Sequence, residues 1–395
     1  MVGTRLLWSG SRSNLSLMDY ELVIIGAGVV GLAVAARAAR SCRSVLVLER
    51  HQDICRETSS RHSEVVHAGL YYPQSSLKAK TCVAGRELLY ARCKRLNIEA
   101  PRIGKYIVAL NLAQERQLHD LAERGANNGV DDLSMLSSSE LRINLPGVAA
   151  TAALWSPSTG VVDSHQYAAS FQSEAEANGA TFAFRTELIG AEPIEGGYQL
   201  LTRNSGAGDN PTPFPLRCHQ VVNSGGLGQD RISQLIGINI DAAGYRNHPC
   251  KGDYFRIAPR HQHRSGPLIY PVGKAAGAGL GVHICYDTAG GMRLGPDASY
   301  ISGPPFDYRV DASKRRAFFA AASPLLPWLK EEDLSPDQSG IRPKLSAPGG
   351  GFCDFVIKDE AERGLSGWIT LAGIESPGLT SAAAIAEEVA ALLEV

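Results

Sequence analysis

The residues whose types and spacing first indicate chemistry are three glycines and an acid near the start of the chain. Gly26, Gly28 and Gly31 follow an apolar run and open an Ala-rich segment with helical spacing. A second apolar run ends at Glu49, about 20 residues further on, where an acid accepts hydrogen bonds from an adenosine ribose. The glycines permit a tight turn and let a pyrophosphate approach the backbone at a helix N-terminus. This strand–turn–helix–strand pattern predicts a dinucleotide site; a glycine-rich loop of another α/β protein is the alternative.

Small hydroxyl residues after Glu49 extend this predicted site toward the diphosphate of the cofactor. Their side chains and backbone amides are suited to cap a short helix against phosphate oxygens. Further along, a strand-like run at 220–223 leads into a glycine turn and a helical segment, which predicts another strand of the nucleotide sheet. The cofactor-binding residues predicted from these segments are Arg50, Thr58, Ser59, Ser60 and Gly225.

The end of the chain has a strand–turn–helix pattern that returns to the first folding unit. Residues 368–373 predict a strand, and residues 380–393 predict a helix capped by Thr380 or Ser381. A reduced flavin needs positive potential at its N1–C2=O edge, and a helix N-terminus supplies it. Since no second G-x-G-x-x-G opens a helix, the pattern predicts FAD and no bound NAD(P). The residues predicted to contact FAD here are Gly373, Gly378, Leu379 and Thr380.

Length and composition exclude several classes of protein. A chain of 395 residues suits a two-domain globular protein. Its 39 Lys and Arg nearly balance its 40 Asp and Glu, so no basic field for nucleic acid or lipid is evident. Eight cysteines are scattered without a C-x-x-C pair or zinc-type histidine spacing. They predict reduced thiols and no metal site, and they favour a reducing compartment.

Two segments near the start of the chain bear on membranes and targeting. The run at 22–36 is the most apolar, but it is too short to span a bilayer and follows acidic rather than basic residues. We therefore predict no transmembrane segment. Residues 1–17 contain two arginines, four serines and no acid, a composition typical of transit peptides. The alternative is a disordered tail, with Met18 as the true start.

The order of the predicted elements indicates two domains of α/β class. Strand-like runs with turn signals between 242 and 336 predict a mostly antiparallel α+β substrate domain, inserted into a Rossmann-like FAD-binding domain. The predicted FAD-binding domain comprises residues 19–97, 151–240 and 338–395; the substrate domain comprises 98–150 and 241–337; residues 1–18 form a flexible or targeting extension.

With these residues assembled, the chain resembles the D-amino-acid-oxidase-like flavoproteins, and within them the L-2-hydroxyglutarate dehydrogenase/oxidase family. The resemblance runs from Asp19 to the end of the chain. Departures are modest: His62 stands where the family usually has Asn, Ser224 and Gly225 replace alanines, and Gly273 replaces a proline. The most specific motifs are ETSSRHSEVVHAGLYYP (57–73), GKYIVAL (104–110), SPSTGVVDSH (156–165), KGDYF (251–255), LIYPV (268–272), LGVH (280–283), LGPDA (294–298), SGIRPKLSAPG (339–349) and GIESPGLTSAAAIA (373–386).

The resemblance implies FAD-dependent oxidation of L-2-hydroxyglutarate to 2-oxoglutarate. It implies that a quinone, an electron-carrier protein or oxygen accepts the electrons, with peripheral membrane contact as one arrangement. Together with the composition of residues 1–17, it favours a mitochondrial location, with the cytoplasm as the alternative.

Such a reaction needs a base for the hydroxyl proton, and histidine suits that role at neutral pH. Apart from His62, which departs from the family pattern, three histidines lie in the motifs quoted above. We predict His67 as the base, because its loop follows the nucleotide-binding unit directly; a bond to the flavin edge is its alternative role. His283 is the second candidate, and His165 is predicted to start a helix without a role in the site.

The reaction also needs cations that hold two carboxylates. Arg342 is the predicted anchor, since Gly340 and Pro343 restrain its backbone and its planar fork can hold a carboxylate bidentately. Lys251 and Lys105 are candidates for the distal carboxylate. Three tyrosines are candidates for hydrogen-bond donors to the substrate: Tyr254, Tyr270 and Tyr72.

Two other functions remain open at this point. An enzyme of the same fold could oxidise another 2-hydroxy acid, an amino acid or glycerol 3-phosphate, and a third reading is a flavin-holding protein without catalysis. Several cationic candidates favour a dicarboxylate over an amine substrate. A non-catalytic protein has no need of His67, Arg342 and a flavin-facing helix together.

Overall fold

The computed structural model describes residues 18–42, 44–205, 212–272 and 282–395. The predicted extension before Met18 and the departure at Gly273 lie outside these residues. In chain order the helices are α1 (Val29–Ala38), α2 (Leu77–Leu96), α3 (Leu112–Asn127), α4 (Ser138–Asn144), α5 (Ser164–Ala177), α6 (Gln229–Leu235), α7 (Ile240–Ala243), α8 (Arg315–Ala322) and α9 (Gly378–Leu393).

The strands form an eight-stranded sheet, a nine-stranded sheet and a two-stranded ribbon within the described residues. In chain order they are β1 (Tyr20–Ile25), β2 (Val45–Leu48), β3 (Val65–Val66), β4 (Lys105–Ala109), β5 (Ser134–Ser137), β6 (Ala152–Ser156), β7 (Gly160–Val161), β8 (Thr181–Ala183), β9 (Thr186–Ile194), β10 (Gly197–Asn204), β11 (Phe214–Asn223), β12 (His248–Ile257), β13 (Leu268–Pro271), β14 (Ile284–Tyr286), β15 (Met292–Leu294), β16 (Ser299–Tyr300), β17 (Leu334–Lys344), β18 (Val356–Glu360) and β19 (Leu365–Ala372).

The eight-stranded sheet has the order β18-β19-β11-β1-β2-β8, with β10 and β9 attached beside β11. β1 pairs in parallel with both β2 and β11, and β19 pairs in parallel with β11. The apolar runs that predicted these strands are buried because helices α1, α5 and α9 cover one face. This arrangement confirms the predicted Rossmann-like domain, including the return of the C-terminal strand to the first sheet.

The nine-stranded sheet has the order β16-β12-β15-β14-β13-β4-β6-β5, with β17 also paired to β12. Every pairing in it is antiparallel except that of β13 with β4. The prediction of a mostly antiparallel second domain is therefore confirmed.

Strand pairing corrects two of the predicted domain boundaries. β6 pairs with β4 and β5, although residues from 151 onward were predicted to belong to the FAD-binding domain. β17 pairs with β12 along its length, so residues 338–344 also lie in the second sheet. Both partners are distant in sequence, and local pattern does not reveal such pairing. The other boundaries stay predictions.

Helix α9 begins two residues earlier than predicted. Its N-cap is Pro377 and makes no side-chain capping bond, so the expectation of a Thr380 or Ser381 cap was wrong. Both hydroxyl side chains are instead buried within the helix, and the Thr380 hydroxyl accepts a hydrogen bond from the backbone N–H of His67 at 3.0 Å. α9 packs closely on α2, since a Cβ on Gly85 would lie 2.4 Å from the carbonyl of Thr380. The helix thereby positions the His67 loop.

Several global expectations can be compared with the structure. In the described part of the chain, no helix is long and apolar enough to cross a membrane. All eight cysteines are free thiols, and seven of them are buried. No group of three or more His, Cys, Asp or Glu side chains suited to a metal ion occurs among the described residues.

Candidate active site

A cavity of about 690 Å³ lies where the carboxyl ends of β1 and β2 meet the long strands β12 and β17 of the second sheet. Residues predicted from the sequence for both cofactor and substrate share its wall. Those that line it are Gly26, Gly28, Gly31, Glu49, Arg50, Thr58, Ser59, Gly225, Gly378, Leu379, His67, His283, Tyr72, Tyr254, Tyr270 and Arg342. Those that do not line it are Ser60, Gly373, Thr380, Lys251 and Lys105.

The glycine turn forms a cradle that no larger residue would allow. Gly26 has φ +103°, and a Cβ on it would lie 2.8 Å from the carbonyl oxygen of Ser224. A Cβ on Gly31 would lie 2.0 Å from the carbonyl oxygen of Gly26. The buried Glu49 carboxylate accepts backbone N–H bonds from Ala27 and His51, each at 2.8 Å. A fixed acid beside open backbone fits the adenosine half of a dinucleotide.

The segment after Glu49 joins this cradle to the second sheet. Thr58, Ser59 and Ser60 form a 3₁₀ turn, and the Ser59 hydroxyl accepts a hydrogen bond from the N–H of Val29 at 3.1 Å. The Thr58 hydroxyl donates to the carbonyl of Ile341 on β17 at 2.9 Å. The two segments touch so closely that a Cβ on Gly340 would lie 1.9 Å from the carbonyl oxygen of Arg61.

Three predicted cofactor contacts lie outside the cavity wall and make contacts within the protein. Ser60 is exposed and donates to the carbonyl of Glu57, which belongs to the same turn. Gly373 has φ +69° and lies against Leu345, so it serves the turn after β19. Thr380 holds the His67 backbone, as described above. Their proposed contact with FAD stays a prediction.

His67 lines the cavity together with Ser376 and His283. Its Nε2 lies 3.3 Å from the hydroxyl of Ser376, and its Nδ1 is buried without a hydrogen-bond partner among the described residues. Burial, together with the nearby charges of Lys105 and His283, lowers the pKa of His67 to about 3. The imidazole is therefore neutral at physiological pH and able to accept a proton.

His283 and two tyrosines line the wall beside His67. His283 is buried and stacks on Tyr270, with ring centroids 3.7 Å apart. Burial raises the pKa of the Tyr254 hydroxyl well above its ordinary value, so this group remains a hydrogen-bond donor. The charge of Arg342 lies close enough to oppose that rise. The three predicted residues His283, Tyr254 and Arg342 therefore line one cavity.

Arg342 projects from β17 and is held by backbone carbonyls. Its Nη2 donates to the carbonyl of Asp297 at 2.7 Å, and its Nε donates to that of Cys250 at 3.4 Å. Lys314 in turn holds the Asp297 carboxylate at 2.8 Å. Since both Arg342 bonds go to neutral carbonyls, its positive charge remains available for an anionic ligand.

The structure does not bring the two predicted lysines to the cavity surface. The Lys251 ammonium donates to the carbonyl of Arg309 and lies 3.7 Å from Asp253, away from the cavity. Lys105 is fully buried behind Tyr71 and Tyr270. Both lysines are distant from Arg342 in sequence, so spacing gave no information about their direction. The prediction that either lysine directly contacts a distal carboxylate is therefore corrected.

Two other lysines do line the cavity, and the sequence analysis missed them. Lys78 of α2 lies 3.0 Å from the Glu375 carboxylate, and Lys344 of β17 lies 3.8 Å from it. Lys344 follows Arg342 by two positions on a strand, so both side chains share one face. That alternation was a usable signal. Lys78 offered none, since a lysine on a helix is ordinarily solvated.

These features define a class of protein before any relative is considered: a dinucleotide-binding protein with a neutral histidine and an arginine on the wall of the same cavity. The family model described as FAD dependent oxidoreductase matches residues 21–392. The chain belongs to this family, and its cofactor is FAD. The predicted cofactor is thereby confirmed.

Within that family the chain belongs with the L-2-hydroxyglutarate dehydrogenases, which confirms the resemblance seen in the sequence. It is 36% identical to the mitochondrial L-2-hydroxyglutarate dehydrogenase of Arabidopsis thaliana, over 97% of this chain and 85% of that protein. The protein of the same name from Homo sapiens is 35% identical over 74% of this chain and 64% of its own length.

Solved structures support the fold. The L-alpha-glycerophosphate oxidase of Mycoplasma pneumoniae, solved with FAD bound, superposes with a TM-score of 0.82 at 22% identity, covering 95% of both chains. At this level of identity the likeness extends to the fold and carries no information on the substrate.

Proposed function

We propose that this protein oxidises L-2-hydroxyglutarate to 2-oxoglutarate. The observation that carries the proposal is that His67 and Arg342 line the same cavity as the glycine turn and Glu49. The names of the curated relatives supply the substrate. FAD held by these residues would supply the acceptor for the hydride from C2 of the hydroxy acid.

In this proposal His67 takes the proton from the substrate hydroxyl. Its neutral imidazole is ready to accept that proton, and Ser376 at 3.3 Å fixes the orientation of the ring. His283, stacked on Tyr270, is the second candidate for the same role. Tyr254 donates a hydrogen bond to the substrate, because its hydroxyl stays protonated.

Arg342 holds the carboxylate next to the reacting carbon. Its fork is oriented by two backbone carbonyls, and no carboxylate among the described residues forms an ion pair with it. For the distal carboxylate, Lys344 and Lys78 replace the lysines predicted from the sequence. They share the single carboxylate of Glu375, so one positive charge is left over for a second anion.

Anaerobic reduction of the FAD-loaded protein tests this function. The flavin absorbance is followed after mixing with L-2-hydroxyglutarate, D-2-hydroxyglutarate, L-lactate, glycine, L-proline and glycerol 3-phosphate. We expect fast bleaching with L-2-hydroxyglutarate alone. Faster bleaching with an amino acid or with glycerol 3-phosphate would assign the protein to another reaction of the same fold.

The electron acceptor and the location are part of the same proposal. A quinone, an electron-carrier protein or oxygen would reoxidise the flavin, and the mitochondrial names of the relatives support a mitochondrial location. Turnover with dissolved oxygen, compared with turnover on a soluble quinone under nitrogen, separates oxidase from dehydrogenase behaviour. Imaging of the tagged full chain in its own cells tests the location.

A further inference from the structure

Lys105 is an ammonium buried where its charge is unusually costly. The side chain, at the start of β4, has no exposed surface, and its Nζ has no hydrogen-bond partner among the described residues. It lies 4.7 Å from the ring centre of Tyr71 and 4.9 Å from that of Tyr270. Such cation–π contacts offset only part of the cost of removing an ammonium from water. A buried charge of this kind is characteristic of functional sites.

The groups around Lys105 belong to the wall of the cavity. Tyr71 and Tyr270 line it, and the ring of His283 stacks on Tyr270. Burial lowers the pKa of Lys105 to about 7, and the thiol of Cys82 opposes this shift.

His67 is faced by ionisable groups from four segments of the chain. Lys105 approaches from β4, and His283 approaches from the segment before β14. Cys82 of α2 donates its thiol hydrogen to the His67 carbonyl at 3.4 Å. The carboxylate of Glu375, beside Ser376, is already bound by Lys78. The charges that act on the imidazole are therefore cationic.

We infer that Lys105 is a positioning residue for proton removal: its buried charge adds to the effect of burial in keeping His67 neutral in the empty cavity, and it stabilises negative charge on the substrate oxygen. This inference rests on the proposed function. Both actions follow from one cation that no carboxylate among the described residues neutralises; it is held behind the ring wall that the substrate faces. Lys105 touches neither substrate nor FAD and acts through the field it sets up.

Substrate binding then strengthens the base. The two carboxylates of a dicarboxylate bring negative charge toward His67, and nearby negative charge raises the pKa of an imidazole. Lys105 therefore helps to hold the pKa of His67 low in the empty cavity, and this pKa rises only when the substrate fills the cavity. In the empty enzyme the neutral imidazole is held unprotonated.

The experiment compares Lys105→Met with wild type and with Lys251→Met, a matched removal of a lysine outside the cavity. Rapid anaerobic flavin reduction is measured from pH 5 to pH 9. Below about pH 7, where Lys105 of the wild type carries its charge, we expect Lys105→Met to reduce its flavin about tenfold to a hundredfold more slowly, since it loses electrostatic stabilisation of the kind measured at oxyanion sites. Its acid limb should also move to higher pH, because His67 loses a neighbouring cation. Lys251→Met should follow the wild-type profile.

A second measurement does not depend on the substrate. Ring-labelled histidine NMR of the FAD-loaded protein, with the His67 signal assigned by His67→Gln, reports the protonation of His67 directly. We expect its titration to move to higher pH in Lys105→Met and to stay unchanged in Lys251→Met. If L-2-hydroxyglutarate fails to bleach the wild type while this titration still shifts, the proposed function fails and the action of Lys105 on His67 stands.

A wild-type pH profile together with an unshifted His67 signal in Lys105→Met would overturn the inference. Lys105→Gln provides a second variant of similar length should the methionine disturb packing. Failure of both variants to fold would assign Lys105 a structural role and would also overturn it.

Discussion

The two ends of the cavity satisfy their buried polar groups in opposite ways. At the nucleotide end, Glu49 accepts two backbone N–H bonds and Ser59 accepts a third, so the protein supplies the partners itself. At the other end, His67 Nδ1 and Tyr71 Oη on the cavity wall, and Lys105 Nζ behind that wall, are buried without hydrogen-bond partners among the described residues. These groups at the first end are already hydrogen-bonded within the protein, whereas the second end keeps polar atoms unpaired.

We expect this difference to separate the residues that retain FAD from the residues that set the rate of reaction. Pre-paired groups at the nucleotide end fix the shape of the cradle and lose little when a ligand enters. Unpaired groups at the reacting end lower the stability of the fold, and such groups concentrate where chemistry occurs. Substitutions at the reacting end should therefore change rates, and substitutions at the nucleotide end should change FAD retention.

The largest effect is expected from replacing His67 at the reacting end. His67→Gln should slow anaerobic flavin reduction by about 10² to 10⁴-fold, the usual contribution of a general base, while FAD stays bound. Rapid-mixing absorbance spectroscopy measures the rate, and the visible spectrum reports FAD. The matched variant is His283→Gln, with a smaller effect. Should His283→Gln abolish reduction while His67→Gln merely shifts the spectrum, the two roles are exchanged.

Arg342 gives the next largest effect and sharpens the distinction between charge and geometry. Arg342→Ala should weaken binding of L-2-hydroxyglutarate and its transition state by about 2–5 kcal/mol, since a desolvated carboxylate loses its charged partner. Arg342→Lys should recover only part of this, because a point charge does not reproduce the planar fork. The concentration dependence of flavin reduction measures both. A lysine variant equal to wild type would rule out the bidentate role.

Glu49 tests the nucleotide end. Glu49→Ala removes a carboxylate bonded to Ala27 and His51 and should weaken FAD retention by roughly tenfold to a hundredfold, as for hydrogen bonds to a charged group. Fluorescence of released flavin after dialysis gives the dissociation constant, and Glu192→Ala on the exposed face of β9 is the control. Once saturated with FAD, Glu49→Ala should be reduced by substrate at nearly the wild-type rate. A large rate defect at saturation would contradict the separation of the two ends.

The smallest effect concerns the contact that joins the two ends. Thr58→Val removes the hydroxyl that donates to Ile341 and should lower the free energy of unfolding by about 1 kcal/mol. Thermal unfolding of the FAD-loaded protein measures it against Ser60→Ala, whose hydroxyl bonds within its own turn. Equal melting temperatures for the two variants would show that the Thr58 contact adds no stability.

The same contrast explains how far the sequence could be interpreted. Gly26, Gly31 and Glu49 form a site from one continuous segment, so their spacing predicted both the fold unit and the ligand. Lys251 and Lys105 were misplaced as carboxylate contacts because strand pairing between distant segments decides which way a side chain points. The cap of α9 was missed for a related reason: the Thr380 hydroxyl bonds to the distant His67 rather than to its own helix terminus.

Strand β17 has one further consequence. It carries Arg342, and it also touches the cofactor segment through the Thr58–Ile341 bond and the close approach of Gly340 to Arg61. The anchor for the substrate therefore rests on the same strand that receives the cofactor loop. Any disorder left in that loop by missing FAD would be passed on to the alignment of Arg342. The protein should accordingly assemble in a fixed order, FAD first and hydroxy acid second, so that the apoprotein is a poor receptor for dicarboxylates.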